Sequence, residues 1–262
     1  MNQNILSEPK QTRTIGLFID WVDSPFQFQL LEGVEAGAQK YGLNFYCFAG
    51  GAIESTSIPE RSRNFIYNYA TESVIDGLII IATSVGHFVS LKELNHFRAQ
   101  YQNIPVVSLL KGLDNSYTVQ TDNIIGLKLL ISHLIKEHGY RSIAVIKGPE
   151  NHTETEERFY AYREALGENG LSLNEELIVP GLFTEQSGYE AARILLAKKN
   201  CRIDAIVAFN DDMAYGAIMA LREKGLNVPY DIAVVGFDDQ PQSRFFFTGP
   251  QHGKNAHFSN RI

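Results

Sequence analysis

The stretch spanning residues 205–239 joins two short apolar runs through a segment with helical spacing, and it constrains the fold more than any other part of the sequence. The first run ends at the polar pair Asn210 and Asp211, and the second ends at Asp238. Such a strand–helix–strand unit is typical of a parallel sheet. Because ligands bind outside the carboxyl ends of strands in open parallel sheets, these polar residues mark a candidate binding edge.

The alternation of strand-like and helix-like segments continues through the rest of the chain from residue 14 onwards. The run DGLIIIA at residues 76–82 is fully apolar, as expected of a strand whose two faces are both covered by helices. The alternation falls into two halves of similar length. The sequence therefore predicts an α/β fold with two similar lobes, each a parallel sheet flanked by helices.

Four segments follow from this pattern. They are a polar tail at 1–13, a first α/β lobe at 14–116, a second α/β lobe at 117–243 and a tail at 244–262 that matches neither period. The crossover between the lobes is placed near residues 116–123, because a short strand and the start of a new helix lie there.

The charge balance argues against one class of partner. The net charge is −7, from 23 Lys and Arg against 30 Asp and Glu. A surface that binds nucleic acid is usually basic, so this chain is not expected to contact DNA or RNA through its own lobes. The amino end lacks the apolar core of a signal peptide, and no run is long enough to cross a bilayer. We therefore predict a cytoplasmic location and no membrane partner.

The two cysteines, Cys47 and Cys201, each adjoin an apolar run. Two cysteines without metal-ligand spacing favour neither a disulfide framework nor a metal site. Cysteine behaves as a small apolar residue in such surroundings, so we predict two buried thiols.

The sequence lacks the motifs of several enzyme classes. The first strand is followed by DWVDSPF, which has no glycine-rich turn for a dinucleotide or a phosphate. There is no G-x-S-x-G elbow, and the seven histidines are scattered without metal-pair spacing. The acidic pairs at 211–212 and 238–239 are only a weak signal for acid–base chemistry or Mg²⁺. We predict a protein that is not an enzyme and uses no cofactor or metal.

The segments FNDDMAYGA at 209–217 and LNVPYDIAVVGFDD at 226–239 resemble the effector-binding core of the LacI/GalR-type transcription regulators. That core shares its fold with the periplasmic sugar-binding proteins, and the resemblance extends over roughly residues 14–244. It implies a periplasmic binding protein-like type I fold with a small-molecule effector bound in the cleft between the lobes. It also implies a homodimer.

The resemblance does not extend to the ends of the chain. The family's repressors carry a helix-turn-helix head before the core, and nothing of that kind fits in residues 1–13. The resemblance stops at about Arg244, so we expect the final return crossover to be missing. DNA would then be reached only through a head domain absent here. A core fused to a histidine kinase or a diguanylate cyclase is the other output that the resemblance implies.

Four candidate ligand-binding residues lie in the second half of the chain. Asp211 and Asn210 open a helix, where both residue types are favoured caps, and the resemblance implies that Asp211 also accepts hydrogen bonds from ligand hydroxyls. Asp238 is either a turn residue or, by resemblance, a cleft residue. Arg158 forms either a surface pair with Glu154 one turn earlier or, by resemblance, a fork of donors that reaches the ligand.

Five further candidates lie at strand ends and helix starts. Asp122 either caps a helix or, by resemblance, lines the cleft, and both readings stay open. Trp21, Ser24 and Phe26 follow the first strand, where the aromatic rings either pack or hold a flat ligand, and Ser24 also caps a helix. Thr83 follows the third strand and either starts a loop or donates to a ligand.

Three functions remain open at this point. The first is a small-molecule sensing domain, for a sugar or a purine-like metabolite, of a LacI-type transcriptional regulator or of a signalling protein. The second is a transport-type solute-binding protein, which the lack of a signal peptide disfavours. The third is an α/β enzyme acting on sugars or nucleotides, which the lack of catalytic motifs disfavours.

Overall fold

The computed structural model describes residues 12–150, 152–198 and 202–240 of the 262-residue chain. The chain forms two compact units, divided between Thr121 and Asp122. In the part of the chain that is described, each unit has one parallel sheet flanked by helices. The predicted fold class of two similar α/β lobes is therefore confirmed.

The first unit contains a five-stranded sheet with the order β2-β1-β3-β4-β5. Its strands are β1 Thr14–Ile19, β2 Asn44–Ala49, β3 Gly77–Ile81, β4 Val106–Leu109 and β5 Tyr117–Val119. Its helices are α1 Pro25–Lys40, α2 Ile58–Arg61, α3 Ala82–Val85 and α4 Leu91–Ala99, with a 3₁₀ helix at Ser62–Tyr69. The apolar run predicted as a strand at 76–82 is β3, which lies inside the sheet between β1 and β4.

Strand β5 differs from the sequence prediction, which assigns residues 117–121 to the second lobe. In the structure β5 pairs in parallel with β4, with Val119 opposite Leu109. The hydroxyl groups of Ser108 and Thr118 also lie 3.0 Å apart across this pair. Because the strand completes the first sheet, the division between the units falls after Thr121 rather than after residue 116.

The second unit contains a four-stranded sheet with the order β7-β6-β8-β9. Its strands are β6 Ile143–Lys147, β7 Ile178–Pro180, β8 Ala205–Ala208 and β9 Ala233–Val235. Its helices are α5 Asn123–Lys136, α6 Thr153–Glu168, α7 Glu185–Ala197 and α8 Asp211–Glu223, with a 3₁₀ turn at Glu175–Leu177. All four residues of β8 are buried, which matches its place between β6 and β9.

Helices α7 and α8 approach each other backbone to backbone because each carries a glycine at the contact. A Cβ atom on Gly188 would lie 2.1 Å from the carbonyl oxygen of Met213, and one on Gly216 would lie 1.9 Å from that of Glu185. No side chain other than hydrogen fits at either position. The contact fixes the position of the first turns of α8, which begin at the polar edge of the sheet.

Cys47 contradicts the prediction of two buried thiols, because its residue is exposed. It lies on β2, which is an edge strand of the first sheet and has three exposed residues among its six. An apolar run on an edge strand is covered on fewer sides than the same run in the middle of a sheet. Cys201 lies outside the described residues.

Some expectations concern parts of the chain that the structure leaves out. The predicted tails at 1–13 and 244–262, apart from residues 12 and 13, lie outside the described residues, as does the segment in which a return crossover was expected to be missing. Among the residues that are described, no helix combines the length and the apolar character needed to span a bilayer.

The contact between α7 and α8 makes a prediction about stability. Gly188→Ala or Gly216→Ala is expected to lower the free energy of unfolding by about 3 kcal/mol, because the added methyl group would push two backbones apart. Gly167→Ala in α6 is the matched control, since a Cβ there meets no atom within 4 Å. It should be neutral or stabilising by up to about 1 kcal/mol. Urea denaturation measures all three, and equal effects would contradict the close approach.

Candidate functional site

Arg158 is the centre of a polar cluster at the carboxyl edge of the second sheet. It lies on α6, and the residue is only 3% exposed. Its Nε donates to Oδ1 of Asn123 over 2.9 Å, and its Nη2 donates to Oε2 of Glu154 over 3.3 Å. Its Nη1 donates to the main-chain carbonyl of Phe209, directly after β8. These bonds hold the guanidinium in one orientation.

Arg158 and Glu154 form the ion pair that the sequence predicts, but in a buried position. The predicted i, i+4 ion pair is present, but it is not on the surface, since the two side chains are only 4% and 15% exposed. The reason is that this face of α6 lies against the end of the sheet, where Arg158 also reaches the Phe209 carbonyl. The pair is therefore part of a buried network rather than a solvated helix face.

Asp238 lies beside the guanidinium. Its Oδ1 is 3.7 Å from Nη2 of Arg158, and its backbone has a φ of 114°. Burial raises the pKa of Asp238 well above its usual range, and the Arg158 charge only partly opposes this rise. The carboxylates of Asp211 and Glu154 raise the pKa further by repulsion. A nearly buried acceptor thus faces a buried donor at the edge of the sheet.

Asn210 caps helix α8, as predicted. Its Oδ1 accepts a hydrogen bond from the main-chain N–H of Met213 over 3.0 Å. Its Nδ2 donates to the carbonyl oxygen of Phe183 over 3.0 Å. Asn210 therefore connects the start of α8 to the loop that follows β7.

Asp211 supports the turn that carries Asp238. It is only 2% exposed, and its Oδ2 accepts a hydrogen bond from the main-chain N–H of Gln240 over 2.8 Å. A Cβ on Gly236 would lie 2.1 Å from Oδ1 of Asp211, so glycine is required for this close approach. The carboxylate of Asp211 thus holds the segment 236–240 in place, whereas its predicted contact with a ligand stays a prediction.

Two aromatic rings lie near the guanidinium of Arg158. The Cζ atom of Arg158 lies 4.1 Å from the ring centre of Phe237 and 6.0 Å from that of Phe183. A Cβ on Gly148 would lie 2.2 Å from Cζ of Phe183, so this glycine makes room for the ring. The ring of His152 packs edge-on against Phe183, with centres 5.1 Å apart. The site therefore combines charged groups with aromatic surfaces.

Sequence reasoning missed three members of this cluster. Asn123 follows the predicted cap Asp122 and carries no sequence signal of its own, although it supplies the acceptor for Nε of Arg158. Phe237 lies in the segment GFDD, where the polar neighbour Asp238 carries the stronger sequence signal. Phe183 directly precedes the capped start of α7, and its φ of 59° is a feature that periodicity does not reveal.

In the first unit, Ser24 and Asp20 are linked through Gln27. The Ser24 hydroxyl accepts from the main-chain N–H of Gln27 over 3.2 Å and donates to its Oε1 over 2.7 Å. Nε2 of Gln27 donates to Oδ1 of Asp20 over 2.6 Å. Burial raises the pKa of Asp20, and hydrogen bonds offset part of that rise. Phe26 is half-buried in the first turn of α1.

Trp21 follows β1 and lies in a second cluster of the first unit. Its residue is 37% exposed, and its Nε1 donates to Oε1 of Glu60 over 2.9 Å. The guanidinium of Arg63 stacks on the indole, with Cζ 3.4 Å from the ring centre. Burial alone would raise the pKa of Glu60, but hydrogen bonds from its neighbours and the Arg63 charge lower it. Sequence reasoning missed Glu60 and Arg63, which are both in the run ERSR.

The last two predicted residues have local roles. Thr83 is half-buried in the single turn α3 rather than at the start of a loop. Asp122 is exposed and caps α5, with Oδ1 accepting from the main-chain N–H groups of Ile124 over 3.1 Å and of Ile125 over 2.8 Å. Asp122 therefore caps the helix, as one of its two interpretations predicts. Ligand contacts of Thr83 and Asp122 remain predictions.

A metal-based site finds no support in the described ranges. No group of three or more His, Cys, Asp or Glu residues is placed there to hold a metal ion. The carboxylates around Arg158 face a fixed guanidinium, which occupies the position that a cation would need.

Comparison with known proteins gives a consistent picture. A family model described as a periplasmic binding protein-like domain matches residues 131–248. The repressor named HTH-type transcriptional repressor PurR from Haemophilus influenzae is 30% identical over 236 residues, covering 90% of this chain and 66% of the relative. Its namesake from Histophilus somni is 30% identical over 237 residues, covering 90% and 67%. The chain spans about two thirds of the length of these relatives.

Solved structures agree with the sequence relatives. A sugar-binding transcriptional regulator of the LacI family from Escherichia coli, complexed with phosphate, is 29% identical with a TM-score of 0.68. It is matched over 90% of this chain and 82% of its own. A LacI transcriptional regulator from a Rhodococcus species is 27% identical with a TM-score of 0.71, over 88% of this chain and 80% of its own.

The raised pKa of Asp238 makes a prediction about stability and pH. A carboxyl group whose pKa is raised in the folded state costs stability once pH exceeds its unfolded value, and the cost is complete above the folded pKa. Asp238→Asn should therefore raise the unfolding midpoint at neutral pH. The gain should vanish as pH falls below the ordinary value of 3.8. Thermal melts across pH test this, and a gain that does not change with pH would contradict it.

The cap of α5 makes a second prediction. Asp122→Ala is expected to lower the free energy of unfolding by about 1 kcal/mol, because two main-chain N–H groups lose their acceptor. Asp122→Asn is the matched control and should cost little, since asparagine is an equally good cap. Chemical denaturation of the two variants decides the matter, and an equal loss in both would show that charge rather than capping is responsible.

Proposed function

Because this chain belongs to the LacI-type family of transcriptional regulators, we propose that it is a small-molecule sensing domain that binds a sugar or a purine-like effector. The observation that carries the proposal is the buried pair of Arg158 and Asp238 at the carboxyl edge of the second sheet. Ligands of open parallel sheets bind at this edge. A fixed donor beside a nearly buried acceptor is the arrangement that polar hydroxyl groups require.

The chemistry of the pair suits a polyhydroxylated ligand. A sugar hydroxyl both donates and accepts, so it can donate to the Asp238 carboxylate while another hydroxyl oxygen accepts from Arg158. Arg158 is already held by Asn123 and Glu154, so little side-chain entropy is lost when a ligand binds. The charged form of Asp238 is costly to keep in its buried position. A hydrogen-bond donor on the effector would stabilise that charged form and so favour binding.

The aromatic rings add a second requirement. The rings of Phe183 and Phe237 both lie near the guanidinium, and apolar ring faces bind the apolar face of a pyranose or of a flat heterocycle. A sugar is favoured by one comparison, since the Escherichia coli regulator at 29% identity is described as sugar-binding. We place Trp21, Ser24, Phe26 and Thr83 of the first unit, and Asp211, Asn210 and Asp122 of the second, as further effector-site residues.

The output of this sensor is proposed to be transcriptional. The relatives are named transcriptional repressors rather than enzymes, which agrees with a domain that binds without turnover. A net charge of −7 disfavours DNA contact by the lobes themselves, so DNA is reached through a head domain. The sensor acts in the cytoplasm as a homodimer, and effector binding shifts the population of its conformations. A fused kinase or cyclase is the alternative output.

The proposal is tested by measuring binding to free pentoses, hexoses and nucleosides. Arg158→Ala should weaken binding of the best of these by about 2 kcal/mol or more, because the buried charged donor proposed to bond the ligand is lost. Arg163→Ala, an exposed arginine on the same helix, is the matched control and should bind normally. Isothermal titration calorimetry gives the affinities, and circular dichroism checks that each variant is folded. Unchanged affinity in a folded Arg158→Ala variant would place the site elsewhere.

A further inference from the structure

The stack of Arg63 on Trp21 is a second charged platform, separate from the Arg158 cluster. The Cζ atom of Arg63 lies 3.4 Å from the ring centre of Trp21, close enough for direct stacking. The indole is held by its hydrogen bond to Glu60 and is still 37% exposed. The ring plane is therefore fixed, and one arginine lies flat against it.

Arg63 has donors that no described residue uses. Its Nε and Nη2 atoms are buried and have no hydrogen-bond partner among the described residues. An arginine fork normally donates to carboxylate, phosphate or carbonyl oxygens, and buried N–H groups are rarely left without an acceptor. In the described part of the chain, this guanidinium therefore lacks the acceptor that its geometry fits.

Glu60 does not supply that acceptor, although it is near. Its Oε1 accepts from Nε1 of Trp21 over 2.9 Å and from the main-chain N–H of Ala52 over 3.0 Å. Its Oε2 accepts from the hydroxyl of Ser55 over 2.6 Å. Both oxygens of the Glu60 carboxylate therefore already accept hydrogen bonds, which hold the indole and the loop after β2 in position. The carboxylate lowers the local positive charge without making a hydrogen bond to Arg63.

The platform lies at the carboxyl edge of the first sheet. Trp21 follows the end of β1, and the loop that bonds Glu60 follows the end of β2. Parallel sheets bind ligands at this edge, so the platform is at the place where the first unit is proposed to meet the effector.

We infer that Arg63, stacked on Trp21, binds an oxyanion carried by the effector, either a phosphate or a carboxylate. The inference rests on the proposed function and narrows it, since it selects a phosphorylated or acidic sugar or nucleoside over its neutral counterpart. The guanidinium fork supplies two parallel charge-assisted hydrogen bonds to such a group. The indole face supports the adjoining part of the ligand.

The single tryptophan of this chain makes the test direct, because all intrinsic tryptophan fluorescence comes from Trp21. Inorganic phosphate and acetate are the minimal probes, titrated at constant ionic strength against chloride. A saturable change in emission is expected for the wild-type protein with one or both anions. The anion that gives the tighter response identifies phosphate or carboxylate as the preferred group.

Variants assign the response to Arg63. Arg63→Gln should abolish the response, whereas Arg163→Gln, an exposed arginine of the second unit, should leave it intact. If Arg63→Gln lowers the unfolding midpoint, Arg63→Lys is used as the test variant in its place. Its affinity for the anion should be about tenfold lower than that of the wild type, because an ammonium group provides no fork. Phosphorus NMR line broadening by the protein gives a readout that does not depend on the indole. No saturable response in the wild type, or an equal response in the Arg63 variants, overturns the inference.

The design separates this inference from the proposed function. Arg158→Ala should weaken binding of the neutral sugars but keep the anion response at Trp21. Neutral sugar binding that persists in Arg63→Gln without any anion response in the wild type would leave the sensing function standing and remove the anion site. An Arg63-dependent anion response, together with unchanged sugar binding in Arg158→Ala, would have the opposite meaning. It would leave the anion site standing and remove the proposed sensing site at Arg158.

Discussion

The second unit depends on the burial of one positive charge. A guanidinium taken out of water costs several kcal/mol unless its N–H groups are paired, so the elements around Arg158 must supply acceptors. Asn123 at the start of α5, Glu154 on α6 and the carbonyl of Phe209 after β8 provide them, and Asp238 after β9 adds a carboxylate. One side chain thereby connects two helices and two strand ends at the edge where open parallel sheets bind their ligands.

The same burial sets the character of the acidic neighbours. Asp238 has its pKa raised because it is buried among other carboxylates, and a single arginine does not compensate fully. The carboxylate of Asp211 accepts a hydrogen bond from the main-chain N–H of Gln240, and this bond stabilises the turn that carries Asp238. Asp238 is therefore an acceptor whose charged form is costly to keep in the folded chain. The first unit differs at Arg63, which stacks on Trp21 and whose buried Nε and Nη2 atoms have no hydrogen-bond partner among the described residues.

Local sequence signals predicted much of the structure. The end of β8 at the pair Asn210 and Asp211 was readable, because an apolar run followed by helix-capping residues leaves few alternatives. The edge position of β2 could not be predicted from the sequence, since strand order depends on which strands pair. Cys47 is exposed because it lies on this edge strand. Strand β5 was assigned to the wrong unit for the same reason. A strand of three residues carries no signal for its partner.

The sequence by itself determined the alternation of strands and helices, the family, and the polar residues that follow the strands, because periodicity, capping and spacing are local properties. Only the tertiary structure decided which of these residues meet. Asn123 and Phe209 bond Arg158 across 35 and 51 positions of the chain, and Glu60 and Trp21 bond across 39. The glycines at 188, 216 and 236 gain their meaning in the same way, since a missing side chain matters only where another backbone or a carboxylate takes its place.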